Sequence, residues 1–144
     1  MKKLAPIIFA IQLVLLIGGD AFACRCGKPS VERSFKGAAT RIFSGEVIKL
    51  DFFRATLRVD GVWKGKPVEE IIMLTGTTKS GDGYYVSSSC DYGYALGEKY
   101  LIYAYGPENK LETSACSRTK ELKYAAAEVK QLDRLKKAHE KRTQ

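Results

Sequence analysis

Arg41-Ile42-Phe43-Ser44-Gly45-Glu46-Val47-Ile48-Lys49-Leu50 and, after Asp51 and Phe52, Phe53-Arg54-Ala55-Thr56-Leu57-Arg58-Val59-Asp60-Gly61-Val62-Trp63 decide the fold class. The first segment is rich in β-forming residues, and Gly45 interrupts it where a bulge or sharp bend fits. The second alternates, with Phe53, Ala55, Leu57, Val59 and Gly61 on one side and Arg54, Thr56, Arg58 and Asp60 on the other. That period of two is the pattern of a strand with one buried face. The two segments are expected to pair.

Downstream, Lys64-Gly65-Lys66-Pro67 reads as a turn and Val68 to Leu74 as a third strand. Thr77 to Ser89 has the Gly, Ser, Thr and Tyr composition of a loop, which ends at Cys90. Tyr100-Leu101-Ile102-Tyr103-Ala104-Tyr105 is apolar or aromatic on both faces, as expected of a strand covered on both sides. Gly106 to Lys110 turns the chain, and Leu111 to Ala115 forms a fifth strand leading to Cys116. Upstream, Ser30 can cap a short helix carrying Val31, Phe35 and Ala38 at helical spacing. From Glu121 onward, Leu122, Ala125, Ala126, Val129, Leu132 and Leu135 recur at the spacing of an amphipathic helix. The expectation is a mainly β domain: a five-stranded OB-fold-like β-barrel with a flanking short helix and a C-terminal amphipathic helix.

The chain opens with Lys2 and Lys3, an apolar run from Leu4 to Gly19 broken by Gln12, and Ala21-Phe22-Ala23 before Cys24. This is the order of a signal peptide over residues 1–23, too short for a membrane span and cut where small residues precede Cys24. Lipid anchoring at Cys24 ranks second, because Ala21 stands where lipoprotein signals usually carry Leu. Cleavage would remove Lys2, Lys3 and Asp20 and leave a single domain, residues 24–144, of 121 residues with net charge +7. The expected location is therefore secreted or periplasmic. A basic exported domain can meet acidic polysaccharide or a membrane surface, but not intracellular nucleic acid. Arg134, Lys136, Lys137, Lys141 and Arg142 in the last helix are such a basic tail, though a solvated helix face is the simpler reading.

All four cysteines, Cys24, Cys26, Cys90 and Cys116, fall in the exported part and imply two disulfides. A bond between Cys24 and Cys26 would close a strained ring, which leaves two connectivities. Both tie the N-terminal segment to two distant places. Bonded cysteines are not nucleophiles. The single histidine, His139, lies in the charged end of the last helix, and the sequence has neither His-Glu-x-x-His nor a glycine-rich phosphate loop. A binding protein is expected, not an enzyme, with no cofactor and no metal of its own. One chemistry is open to it. An α-amino group titrates near pH 8 and, with its own carbonyl oxygen, can chelate an open zinc on another protein. A first residue Cys24 would supply both atoms.

Cys24-Arg25-Cys26, Ser30-Val31 with Phe35, Phe43-Ser44-Gly45-Glu46-Val47, Val62-Trp63-Lys64-Gly65, Ser88-Ser89-Cys90, Gly97-Glu98-Lys99-Tyr100-Leu101-Ile102-Tyr103 and Cys116-Ser117-Arg118-Thr119 resemble the N-terminal domain of tissue inhibitors of metalloproteinases, and more closely its short bacterial relatives among the netrin-like modules. The order and spacing of these pieces carry the resemblance. It implies an OB-like barrel with Cys24 bonded to Cys90 and Cys26 to Cys116. It also implies an inhibitory ridge of Cys24, Arg25, Cys26, Gly27, Lys28 and Pro29 beside Ser87, Ser88, Ser89 and Cys90. That ridge would enter the cleft of a secreted zinc metalloprotease, with the Cys24 amine and carbonyl on the target's zinc and Arg25 directed into the neighbouring specificity pocket. The chain departs from the animal inhibitors at Arg25, where they carry a small residue. It also lacks their third disulfide and cysteine-rich C-terminal domain. The alternatives are a netrin-like module that binds polyanions or envelope partners, and a lipid-anchored envelope protein.

Overall fold

The computed structural model describes residue 24 and residues 26–143. The expected signal peptide, residues 1–23, and Arg25 lie outside the described residues.

Ser30 accepts the Arg33 N–H at 3.1 Å and caps α1 (Val31–Arg33). The helix continues as a π turn, Ser34–Ala38, closed by the Ala39 N–H on the Ser34 carbonyl at 3.1 Å. The wider turn leaves Ala38 at the surface and buries Ser34, Phe35 and Ala39, so Ala39 takes the packing role expected of Ala38.

Strand β1 (Arg41–Leu50) turns through Asp51, whose Oδ1 accepts the N–H groups of Phe53 and Arg54 at 2.7 and 2.8 Å, and pairs antiparallel with β2 (Arg54–Lys64). Their register slips where Ser44 faces Gly61 and Gly45 faces Val59, leaving Asp60 as the extra residue of a bulge. The slip reverses the faces, so Val59 and Val62 pack on the same core and Gly61 does not continue the inward row. Gly45 is required at this contact: a β-carbon there would stand 2.6 Å from the Arg58 carbonyl oxygen.

β3 (Glu70–Leu74) pairs antiparallel with β2. The expected loop from Thr77 to Ser89 contains a small hairpin, β4 (Thr78–Lys79) with β5 (Tyr85–Val86). β6 (Lys99–Ala104) pairs with β1, and β7 (Leu111–Glu112) lies parallel to β3. Glu112 also exchanges both backbone hydrogen bonds with Tyr105, at 2.9 and 3.0 Å, which curls the sheet back toward the end of β6. β8 (Lys120–Glu121) adds to the other edge of β6. The result is a curled six-stranded sheet in the order β7-β3-β2-β1-β6-β8. The expected count of five is corrected by β8. Lys120 and Glu121 pair with Leu101 and Tyr100 through the backbone, and two charged side chains carry no apolar alternation to announce a strand. The last helix accordingly starts later than Glu121, after a 3-10 turn at Leu122–Tyr124, as α2 (Ala126–Thr143).

Two cores result. Phe43, Val47, Ala55, Leu57, Met73, Tyr100, Ile102 and Ala104 fill the concave side. Val31, Phe35, Ile42, Leu101, Tyr103, Ala125 and Leu132 join the helices to the convex side. β6 feeds both by alternation, as its sequence implies.

Gly45→Ala is expected to cost about 2 kcal/mol, because the new methyl must displace the backbone of β2. Urea unfolding should show a lowered midpoint, while Gly81→Ala, at a site with nothing within 4 Å, leaves it nearly unchanged.

Candidate functional site

The N-terminal segment is held at three points. Cys24 is bonded to Cys90 and Cys26 to Cys116, with Cα separations of 5.6 and 5.2 Å. This is one of the two connectivities left open by the spacing, and the one the resemblance implies. The third point is the Pro29 carbonyl, which accepts Nη1 of Arg118 at 3.1 Å. Between these fastenings Cys26, Gly27 and Lys28 are exposed, while Cys24 and Pro29 are half-buried.

The partner loop is braced separately. Asp91 Oδ2 accepts the Ser88 N–H at 2.6 Å, Ser88 Oγ accepts the Cys90 N–H at 3.1 Å, and the Asp91 N–H closes the turn on the Ser88 carbonyl at 3.0 Å. Asp91 bridges to Ser114, and the Ala115 N–H donates to the Cys90 carbonyl at 2.9 Å. That pairing sets Cys90 and Cys116 on neighbouring segments, so two cysteines one residue apart can each reach a partner. Gly76 has a positive φ of 87° and lies against the Asp91 carboxylate, where a side chain would collide. Ser87, Ser88 and Ser89 are exposed, and Ser89 Oγ lies 3.7 Å from Cys24 Sγ. The structure thus brings together Cys24, Ser89 and Cys90, and separately Cys26 and Cys116.

Beside this loop lies a depression of about 360 Å³ lined by Leu50, Phe52, Thr75, Ser88, Tyr92 and Tyr94. Burial, first, and the neighbouring Tyr100 and Glu121 push the Tyr92 phenol up to about 12, so it stays protonated as a donor. Phe52 stacks on Tyr85 with centroids 5.2 Å apart, and both rings are exposed.

Arg118 is anchored by Glu128, which no motif reading identified. Arg118 Nη2 and Nε donate to the two carboxylate oxygens at 2.6 and 3.0 Å, Tyr103 donates its hydroxyl at 3.1 Å, and Lys120 completes the set. Burial pushes the Glu128 carboxyl up, but the hydrogen bonds and charges of Arg118 and Lys120 together outweigh it and hold the group below the usual carboxylate range. A signal was present: Glu128 falls on the apolar stripe of α2 between Ala125 and Leu132, where an unpaired acid would be costly.

The described residues contain no group of three or more metal-ligating side chains, and no described helix is long and apolar enough to cross a membrane. Two disulfides suit an oxidising extracellular or periplasmic compartment. No family model matches the chain, and no curated protein matches it significantly.

Glu128→Gln should destabilise the protein by about 2 kcal/mol at neutral pH, since two cations lose their shared counter-charge while partly screened by solvent. The folded-state pKa is depressed, so this contribution is present above the ordinary value near 4.5 and is lost as pH falls through the lower folded value. Thermal melts of the two proteins should therefore converge as the pH drops below about 4.

Proposed function

We propose that the chain is a stoichiometric inhibitor of secreted zinc metalloproteases, acting through a mature N-terminal Cys24 and not as an enzyme. The observation that carries this reading is the double staple. Two cysteines one residue apart are bonded to neighbouring loops, and the segment between them and Pro29 stands exposed. A ligand fixed in advance loses little conformational freedom on docking. The Cys24 amine and carbonyl would complete the coordination of the target's zinc, leaving this chain with no cofactor and no metal of its own.

The fold is read as an OB-type barrel of the kind found in tissue inhibitors of metalloproteinases and netrin-like modules. Support for a five-stranded reading of β1, β2, β3, β6 and β7, with β8 as an outer addition, comes from the parallel β3/β7 pair and the Tyr105–Glu112 bridge, which bring β7 back toward the end of β6. Arg25 would enter the target's specificity pocket. A long cation is costly to bury in an apolar pocket, so the preferred targets are proteases whose pocket is open or acidic. Gly27, Lys28, Ser87, Ser88 and Ser89 would line the rest of the ridge.

The test compares the mature protein, with Cys24 first, against one extended by a single N-terminal Ala, on a panel of secreted zinc metalloproteases. The expected result is one-to-one inhibition by the mature form and at least a hundredfold weakening by the extension, because the added residue displaces the chelating amine. Equal inhibition by the two proteins would sink the chelation mechanism. Absence of inhibition across proteases with open or acidic pockets would sink the functional reading itself.

A further inference from the structure

The guanidinium of Arg118 faces two different parts of the molecule. Nε and Nη2 donate to the two carboxylate oxygens of Glu128 at 3.0 and 2.6 Å, while Nη1 donates to the Pro29 carbonyl at 3.1 Å. The group is planar and rigid, so the fork made with the carboxylate fixes the direction of the remaining nitrogen. Glu128 is itself held from the sheet. Tyr103 of β6 donates its hydroxyl to Oε2 at 3.1 Å, and Lys120 of β8 pairs with Oε1. The placing of the Pro29 carbonyl therefore depends on an acid in α2, through one intervening side chain.

The same short segment closes the other end of the span. Cys116, just before Ser117 and Arg118, is bonded to Cys26, so the stretch from Cys26 to Pro29 is fastened at both ends to Cys116–Arg118. That template is braced by its own contacts. The buried Ser117 donates its N–H to the Ser114 carbonyl at 3.0 Å, and its hydroxyl accepts the Thr119 N–H at 3.0 Å and exchanges a hydrogen bond with the Thr113 hydroxyl at 2.8 Å. Thr119 Oγ1 in turn accepts the Tyr103 N–H at 3.0 Å. The span has no such support. Among the described residues, the Pro29 carbonyl is its only backbone group with a hydrogen-bond partner, and Gly27 has neither a side chain nor any atom within 4 Å of where a β-carbon would stand.

We propose that Glu128 is a positioning residue for the N-terminal segment, setting through Arg118 the geometry in which Gly27 and Lys28 are presented. The disulfides alone leave Gly27, Lys28 and Pro29 as a free link between Cys26 and the Ser30 cap, and the Arg118 contact shortens that link to Gly27 and Lys28. A lysine at position 118 would keep the charge but could not hold Glu128 and Pro29 together in one fixed plane. Lys120 meets the same carboxylate without bonding to Pro29, so it contributes to stability and not to this geometry. The effect on inhibition rests on the function proposed above, because order in the free segment lowers the cost of docking. The effect on the segment itself does not.

The experiment uses the oxidised, isotopically labelled mature protein and the variants Glu128→Gln, Arg118→Lys and Lys120→Gln. The first two break the fork, and the third removes the other cation from the same carboxylate and controls for lost stability. Circular dichroism and intact mass establish that all fold and keep both disulfides. Backbone relaxation at Gly27 and Lys28 should give order parameters of about 0.85 in the unmodified protein and in Lys120→Gln, and below about 0.6 in the two fork variants, with Leu101 and Ile102 of β6 rigid throughout. On the protease of the panel most strongly inhibited, the fork variants should bind roughly tenfold more weakly and Lys120→Gln at most about threefold. Full order at Gly27 and Lys28 in both fork variants, or an equal loss in Lys120→Gln, would overturn the proposal whether or not any protease is inhibited. Loss of order confined to the fork variants, in a protein that inhibits no protease, would uphold the positioning role and sink the inhibitory reading.

Discussion

Burial of β6 on both faces is the constraint on which the rest of the structure depends. Tyr100, Ile102 and Ala104 point into the concave core, Leu101 and Tyr103 into the layer beneath the helices, and all five are essentially inaccessible. A strand of this kind cannot lie at a surface, so a sheet must curl around one face and helices must cover the other. β1 completes the arrangement on its neighbouring edge, with Phe43 on one side and Ile42 on the other. The polar contacts follow the same division. The Tyr103 N–H donates to the Thr119 hydroxyl at 3.0 Å and its carbonyl accepts the Thr113 hydroxyl at 2.9 Å, linking the strand to the segment around Cys116.

Where apolar side chains repeat at a fixed period, the architecture is legible in the sequence. The alternation from Ala55 to Val59, the unbroken apolar run of β6 and the helical stripe from Ala125 to Leu135 each correspond to an element with the buried face they imply. The bulge at Gly45 is legible too, because a missing side chain in a β-rich run marks a close backbone approach. What escaped was structure held by the backbone. β8 and the hairpin of β4 and β5 are two-residue pairings of charged, polar or solvent-facing side chains, which leave no periodic trace. The same holds for Ala39 replacing Ala38, since a π turn adds a residue that no helical period anticipates.

For the candidate site, cysteine spacing alone narrowed the connectivity without choosing it, because two pairings satisfy the same geometry. The supports were harder to see. Asp91 and Ser88 form their turn through local hydrogen bonds, and Arg118 reaches Pro29 across 89 positions of sequence. Long-range charged contacts have no one-dimensional signature. Only the acid on the apolar stripe of α2 betrays this one.

The four cysteines stand outside both hydrophobic clusters. The sheet and its helices therefore have a cohesive interior that contains no disulfide, while the exposed N-terminal segment has almost none and is kept in place by the two bridges and Arg118. The packing of the interior and the covalent fastening of that segment are thus distinct. Reduction would free Cys24 and Cys26 from their loops, so the redox state of the compartment, and not the packing of the interior, determines whether the segment that leads to Pro29 is held in one geometry.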